Sequence, residues 1–276
     1  MKKVIAAAVV MSFLAFTSAF AVEIGDIMSV LKITKESINS TLMELGTDLE
    51  KAAKELSGKD LKGDEARKIL EGLRKYRPYV INCSILDADG IKITVEPQEY
   101  KQYEGADRTT LPYVLKILKM KKPAMSNVYR SAEDINAFSI GYPILSDKGD
   151  LLGAVRMLIR YELFLKPLVE GKPCKIWIMQ KNGLIVYDED PEEIGKNIFI
   201  DGMFKPFTDL IEFSRTVSLS ASGAGSYSFY AEGLKDKTLV NKVAAWDTVG
   251  LYGTEWRVIV MESEAPAAEP ETPSKK

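Results

Sequence analysis

The sequence predicts an α+β protein: one long N-terminal helix, then two similar modules that each set an antiparallel sheet against flanking helices. Three observations predict it. An apolar seam at spacings of four and three runs from Ile24 to Leu56. Beyond it the apolar period changes from that of a helix to that of a strand. The order of hairpin, helix and three-strand meander then occurs twice, with I-L-D-A-D-G-I-K-I at 85–93 lying over I-M-Q-K-N-G-L-I-V at 178–186.

The first element is a leader. Lys2 and Lys3 precede an apolar run from Val4 to Phe16, and Ala19-Phe20-Ala21 closes it. This is the layout of a signal peptide, residues 1–21, cut after Ala21, which places the mature chain in the periplasm or outside the cell. An uncleaved N-terminal membrane anchor is the alternative. No cysteine follows the cut, which argues against a lipid anchor. No later segment approaches the ~20 apolar residues of a membrane helix.

Residues 22–78 hold the long helix and a short one. The seam is Ile24, Met28, Leu31, Lys35, Ile38, Leu42, Leu45, Leu49, Ala52 and Leu56, with Lys35 its only polar member. A stripe that long needs an apolar partner, either its own modules or the second subunit of a homodimer. Gly58 to Gly63 break the helix, and a short one follows around Ala66–Tyr76.

In the first module, residues 79–169, strands Tyr79–Leu86 and Ile91–Val95 flank a D-A-D-G turn. A helix near Thr110–Met120 begins with Pro112 in its first turn, where a missing amide costs nothing. Strands at Ala124–Arg130, Ala137–Ile144 and Leu151–Arg160 complete the module. The second module, residues 170–262, repeats this with Lys175–Met179, a K-N-G turn, Leu184–Tyr187, a helix around Met203–Ser220, and strands near Gly225–Tyr230, Leu239–Trp246 and Trp256–Met261. Residues 263–276 lack any apolar period and read as a disordered tail.

Composition narrows the function. The chain has 37 basic and 39 acidic residues and no histidine. A mildly acidic chain is a poor partner for nucleic acid. Without imidazole there is no Ser-His-Asp triad, no histidine zinc site and no imidazole base, so a non-enzyme is predicted, without catalytic residues, metal or cofactor. Cys83 and Cys174 lie in apolar strands of different modules and read as buried free thiols. The acidic run Asp188, Glu189, Asp190, Glu192, Glu193 reads as a solvated turn. D-A-D-G at 87–90 and S-D-K-G at 146–149 read as hairpin turns rather than calcium loops. S-A-S-G-A-G-S at 220–226 reads as a helix stop, and Trp246 and Trp256 as core.

Several stretches, in this order, carry a resemblance: G-A-D-R-T-T-L-P-Y-V at 105–114, K-P-A-M-S-N-V-Y at 122–129, G-Y-P-I-L-S-D-K-G-D-L-L-G-A-V at 141–155, G-L-I-V-Y-D-E-D-P-E-E-I-G-K-N-I at 183–198, and V-A-A-W with G-T-E-W-R-V-I-V near the end. Over about residues 24–262 the chain resembles the double Cache domain of extracytoplasmic sensors. The resemblance implies two PAS-like modules in tandem, a small ligand in the first, membrane-distal-type module, and a relay through the second module and the long helix. It also implies a membrane-bound receptor or kinase as partner, since the chain shows no cytoplasmic output of its own. In the family's amino-acid-binding branch an arginine, an aromatic pair, a later tyrosine and an aspartate hold the ligand. Carried over, the pair falls on Tyr113 and Val114 and the later tyrosine on Tyr129, while Leu111 and Leu158 occupy the arginine and aspartate positions. The usual amino-acid scheme is therefore incomplete here.

The residues themselves suggest a replacement. Strand alternation in G-A-V-R-M-L-I-R sets Arg156, Leu158 and Arg160 on one face and Val155, Met157 and Ile159 on the other. Because the resemblance turns position 158 to the ligand, Arg156 faces it too, offering a planar fork for a carboxylate or phosphate. The helix start at Pro112 adds an environment favourable to anions. Tyr103, Arg108 and Tyr113 are then expected on one wall, facing Tyr129. These five residues are the candidate binding set, for a small anionic metabolite of the carboxylate class. The competing reading is a periplasmic interaction or structural protein that binds no ligand and dimerises through the long helix.

Overall fold

The computed structural model describes residues 2–233 and 237–264, with side chains from Gly25 onward. The side chains of the leader, Ile24 included, and the expected tail from residue 265 on lie outside the described residues.

Helix α1 spans Lys2–Leu56. From Leu31 to Leu56 the apolar members of its seam are buried, but Met28 is 50% exposed and Ile27 takes its place. A straight helix drifts about 20° per heptad against a strict seven-residue repeat, which turns Met28 off the face. The polar exception, Lys35, ion-pairs with Asp247 at 2.7 Å. The stripe is covered by the chain's own two modules, with which it shares one continuous core.

In the first sheet the order is β2 (Lys92–Glu96), β1 (Val80–Asp87), β6 (Leu151–Ile159), β5 (Asn136–Leu145) and β3 (Ala124–Met125), with β4 (Tyr129–Arg130) also on β5. The second sheet has the matching order β8 (Ile185–Tyr187), β7 (Lys175–Gln180), β11 (Thr254–Ser263), β10 (Leu239–Leu251) and β9 (Gly223–Tyr230). In each, the last strand of the meander returns to pair with the first strand of the hairpin. Helices α2 (Asp64–Arg74), α3 (Pro112–Met120), α4 (Tyr161–Val169) and α5 (Thr208–Leu219) complete the fold.

Three elements differ from expectation. The strand at Ala124–Arg130 is broken because its backbone pairs elsewhere: the Val128 amide donates to Gln180 Oε1 of the second module at 2.9 Å. The helix at Met203–Ser220 is split by Pro206 into a 3₁₀ turn, Gly202–Phe204, and α5. Helix α4 was not predicted, since it contains Pro167. The carbonyl that this proline strips of its donor belongs to Leu163, which is exposed and open to solvent.

Each sheet turns one face to α1, and there Phe138 of β5 meets Trp256 of β11 edge to face at 5.1 Å. The outer faces differ. That of the second sheet packs an aromatic cluster, Phe213 and Trp246 among its members, beneath α5. That of the first is divided into two small apolar groups with polar side chains between them. Close approach of strands is built in at Gly153, where an added Cβ would stand 2.2 Å from the Leu86 carbonyl oxygen. Gly153→Ala should force β1 and β6 apart and cost about 1–3 kcal/mol, seen as a lower urea midpoint with an unchanged slope.

Candidate functional site

Strand register brings the polar residues of the first module together. Ser84, Arg156 and Gly141 form one row across β1, β6 and β5, and Asn82, Leu158 and Ser139 form the next. Directly opposed residues share a face, so both rows look outward beneath α3. Gly141 makes room for that helix, because a Cβ there would meet Ile117 Cδ1 at 2.6 Å.

Arg156 is 2% exposed and donates from Nη1 to the Tyr113 hydroxyl at 3.0 Å. The Tyr129 and Ser139 hydroxyls share a hydrogen bond of 2.9 Å, and the two tyrosine rings lie 6.3 Å apart. Beside them Lys92, fully buried, donates to Glu133 Oε1 at 3.2 Å; Asn82 Nδ2 donates to the same oxygen at 3.0 Å. Five polar atoms of this region are buried and have no hydrogen-bond partner among the described residues: Arg156 Nε, Arg108 Nε, Arg108 Nη2, Ser84 Oγ and Asn82 Oδ1. Such groups are rare in folded proteins and call for an occupant.

The charge balance is positive. Lys92 and Arg156 act on one carboxylate, Glu133, while the Arg108 charge acts on Lys92 and on the exposed Asp107. Burial, then Arg156 and Arg108, push the Lys92 ammonium down to about 7 against the pull of Glu133. Burial alone would raise the Glu133 carboxyl, but Lys92, its own backbone amide and Arg156 outweigh it and hold it at about 2. Burial also disfavours the Arg156 charge, yet Tyr113, Tyr129 and Glu133 keep it above the usual guanidinium value. A cavity of about 290 Å³ lies on the tyrosine side of this cluster, lined by Tyr113, Tyr129, Pro112 and Ser126 and reaching Thr254 of the second module; Arg156, Lys92 and Arg108 stand behind the tyrosines and do not line it.

The structure thus brings Tyr113, Tyr129 and Arg156 into one contact network. Arg108 stands close enough for its charge to act on Lys92. Tyr103 does not share the tyrosine wall; it sits in the 3₁₀ turn Gln98–Tyr103, its ring 5.4 Å from Lys92 Nζ. The helix start contributes less than expected, because the Val114 amide is already bonded to the Leu111 carbonyl at 3.0 Å. Positive charge here comes from side chains. Sequence reasoning missed Lys92, Glu133, Asn82, Ser84 and Ser139; the signal was a lysine and three small polar residues set within otherwise apolar strands.

A second correction lies in the other module. The acidic run is not a solvated turn, since Asp190 and Glu193 are each 5% exposed. Asp188 Oδ1 accepts from the Asp190 amide at 2.8 Å and Asp190 Oδ1 from the Glu192 amide at 3.0 Å, folding the segment inward.

Residues 40–161 match the model of the HK/GC/chemotaxis protein-like sensor domain. No curated protein sequence matches the chain. Among solved structures, an extracellular ligand binding receptor from Desulfohalobium retbaense is 26% identical with a TM-score of 0.71; the match covers 85% of this chain but 40% of that longer one. The ligand-binding domain of the Campylobacter jejuni chemoreceptor Tlp3, solved with L-valine, is 15% identical with a TM-score of 0.66, over 90% of this chain and 95% of that one. The ligand-binding domain of the Pseudomonas aeruginosa amino acid chemoreceptor PctB, solved with L-Arg, is 14% identical with a TM-score of 0.57, over 86% and 87%. Fold and matched segment together define a sensor domain, a class of ligand-binding domains rather than of enzymes. The fold of the chain is the double Cache arrangement, a long helix followed by two PAS-like modules, shared with these ligand-binding domains. Among the described residues no helix is long and apolar enough to cross a membrane.

Proposed function

We propose that the chain is an exported sensor or solute-binding protein whose first module recognises a small carboxylate and hands its bound state to a separate membrane receptor or kinase. The observation that carries this reading is the buried pair Lys92 and Arg156 against one carboxylate, Glu133, with half-buried Arg108 beside Lys92 and arginine donors left unpartnered among the described residues. Neighbouring structures were solved with amino acids, but the ammonium half of such a ligand finds little here. Leu158 lies in an apolar group with Ile81 and Ala137, and Glu133 is engaged by Lys92 and Asn82. An anion fits better than a zwitterion. The leader reading adds export with cleavage after Ala21.

Contacts that could carry the bound state onward run from the same wall. Lys116 of α3 donates to the Tyr252 carbonyl at 2.9 Å, and Thr254 Oγ1 donates to the Met125 carbonyl at 2.6 Å. Tyr252 in turn packs against Gly46 of α1. A ligand that draws Tyr113 and Tyr129 together would therefore pull on the second module and the long helix.

Thermal shift against lactate, pyruvate, succinate and malate, with their amides as controls, tests the proposal. At 100 times its dissociation constant a ligand stabilises by about 2.7 kcal/mol. A rise with an acid but not its amide supports carboxylate sensing; silence across the acids favours the interaction protein. Proton linkage gives a further expectation. Lys92 titrates near 7 folded and near 10.5 unfolded, so between these values the unfolded chain binds more protons. Stability of the ligand-free protein should then rise with pH across that window. Anion affinity should fall over the same range, because the site must regain the proton, and Lys92→Met should flatten both slopes in urea melts and calorimetric titrations.

A further inference from the structure

The second module encloses a cavity of about 250 Å³ on the outer face of its sheet, the face equivalent to the one that carries Arg156 in the first. We propose that this cavity is a second ligand site, built for a small zwitterion whose ammonium lies against Glu193 and Asp188 and whose carboxylate meets Lys242 and the indole nitrogen of Trp177.

Each half of that ligand answers an unsatisfied group. Glu193 is 5% exposed and, among the described residues, its carboxylate takes part in no hydrogen bond or ion pair. Asp188 uses one oxygen for the Asp190 amide. Lys242 is 2% exposed, forms no ion pair among the described residues, and stands over the Phe229 ring at 5.5 Å. Trp177 is 3% exposed, and among the described residues its Nε1 makes no hydrogen bond of full geometry, the acceptor beside it being the Tyr227 hydroxyl. Lys175 is not an alternative anchor, since it is paired with Glu232 at 2.8 Å. Two buried donors, the buried Glu193 carboxylate and the half-buried Asp188 thus line one partly open space, with Tyr227 and Phe229 as aromatic wall. Buried donors and acceptors of this kind are costly unless a partner arrives.

Electrostatics agree with the assignment. Burial raises the Asp188 carboxyl to about 7 against the Asp190 amide and Lys242, with Asp190 and Glu189 adding repulsion; burial, then repulsion from Asp188 and Asp190, raises the Glu193 carboxyl to about 8 against Lys242. An ammonium among them would relieve that repulsion. A divalent cation fits less well, because no group of three carboxylates among the described residues is placed to hold a metal ion. The volume lies just below the ~300–1,000 Å³ usual for ligand pockets, so the ligand is small.

The test is calorimetric titration and thermal shift of the full chain with glycine, β-alanine and 4-aminobutyrate, and with propionate, propylamine and calcium as controls. The Arg156→Met variant, altered only in the first module, serves as the reference for that site. At least one zwitterion should bind wild type and Arg156→Met equally, while propylamine and calcium bind neither and any response of wild type to propionate, which belongs to the first module, is lost in Arg156→Met. Glu193→Gln and Lys242→Met should each weaken it by about 10- to 100-fold, the loss of a charge-assisted hydrogen bond. Because Glu193→Gln removes a repelled buried acid, its urea midpoint should be unchanged or higher, separating lost binding from lost fold. Three results would overturn the site: no zwitterion binds, binding survives in both Glu193→Gln and Lys242→Met, or it vanishes in Arg156→Met.

Discussion

Arg156→Met should abolish the response of the first module to carboxylates while leaving the fold intact. The guanidinium is buried and, among the described residues, has the Tyr113 hydroxyl as its one hydrogen-bond partner, with Nε open. A carboxylate seated there would gain two charge-assisted hydrogen bonds at about 1.5 kcal/mol or more each. Losing both weakens binding by about 100-fold or more. Stability should move the other way. Arg156 depresses Lys92 more than any neighbouring charge does, so its removal relieves like-charge repulsion, and methionine fills much of the vacated space. Calorimetric titration and a urea melt on one preparation read both effects. Undiminished anion affinity in Arg156→Met would remove this residue from the site.

Glu133→Gln should be the most destabilising single change in the first module. It leaves two buried cations, Lys92 and Arg156, without their compensating carboxylate, and breaking such a pair costs about 3–5 kcal/mol. The pH dependence carries the sign. Glu133 titrates near 2 folded, against 4.5 for a free carboxyl, so its stabilisation is present above 4.5 and lost as pH falls towards 2. Wild type should therefore lose stability through that acid window, and the variant should not show that loss. The cost should also shrink above pH 7, where Lys92 can shed its proton. Adding Lys92→Met to Glu133→Gln should recover much of the loss, since the two residues form one interacting unit. A cost near zero at pH 6, with no recovery in the double variant, would contradict the charge balance described for this site.

Much of the architecture was legible because it rests on periodicity. The α1 stripe, the twinned hairpins and the meander order follow from apolar spacing and from Gly90 and Gly183, both at positive φ in their turns. Where expectation failed, a local rule lost to a tertiary contact. Met28 leaves the α1 face through helical drift, and the strand before Tyr129 breaks because Gln180 of the other module takes its amide. The site was half legible. An arginine on an apolar strand was a signal, and Arg156 is indeed buried against Tyr113. Glu133 gave none, since a carboxylate in a turn looks solvated until the fold carries it to Lys92 and Asn82. The acidic run at 188–193 misled for the same reason. Charge spacing along the chain does not reveal that Asx turns fold it beneath a sheet.

The central claim is a guanidinium-lined anion site in the first module, and a crystal structure of the protein grown with the carboxylate giving the largest thermal shift tests it most directly. The account predicts a carboxylate group within about 3 Å of Arg156 Nε, the usual length of a charge-assisted bond, with Arg108 turned to it and Tyr113 and Tyr129 on either side. Density for that ligand elsewhere, with Arg156 still bonded only to Tyr113 and the surrounding side chains packed without a gap, would contradict it.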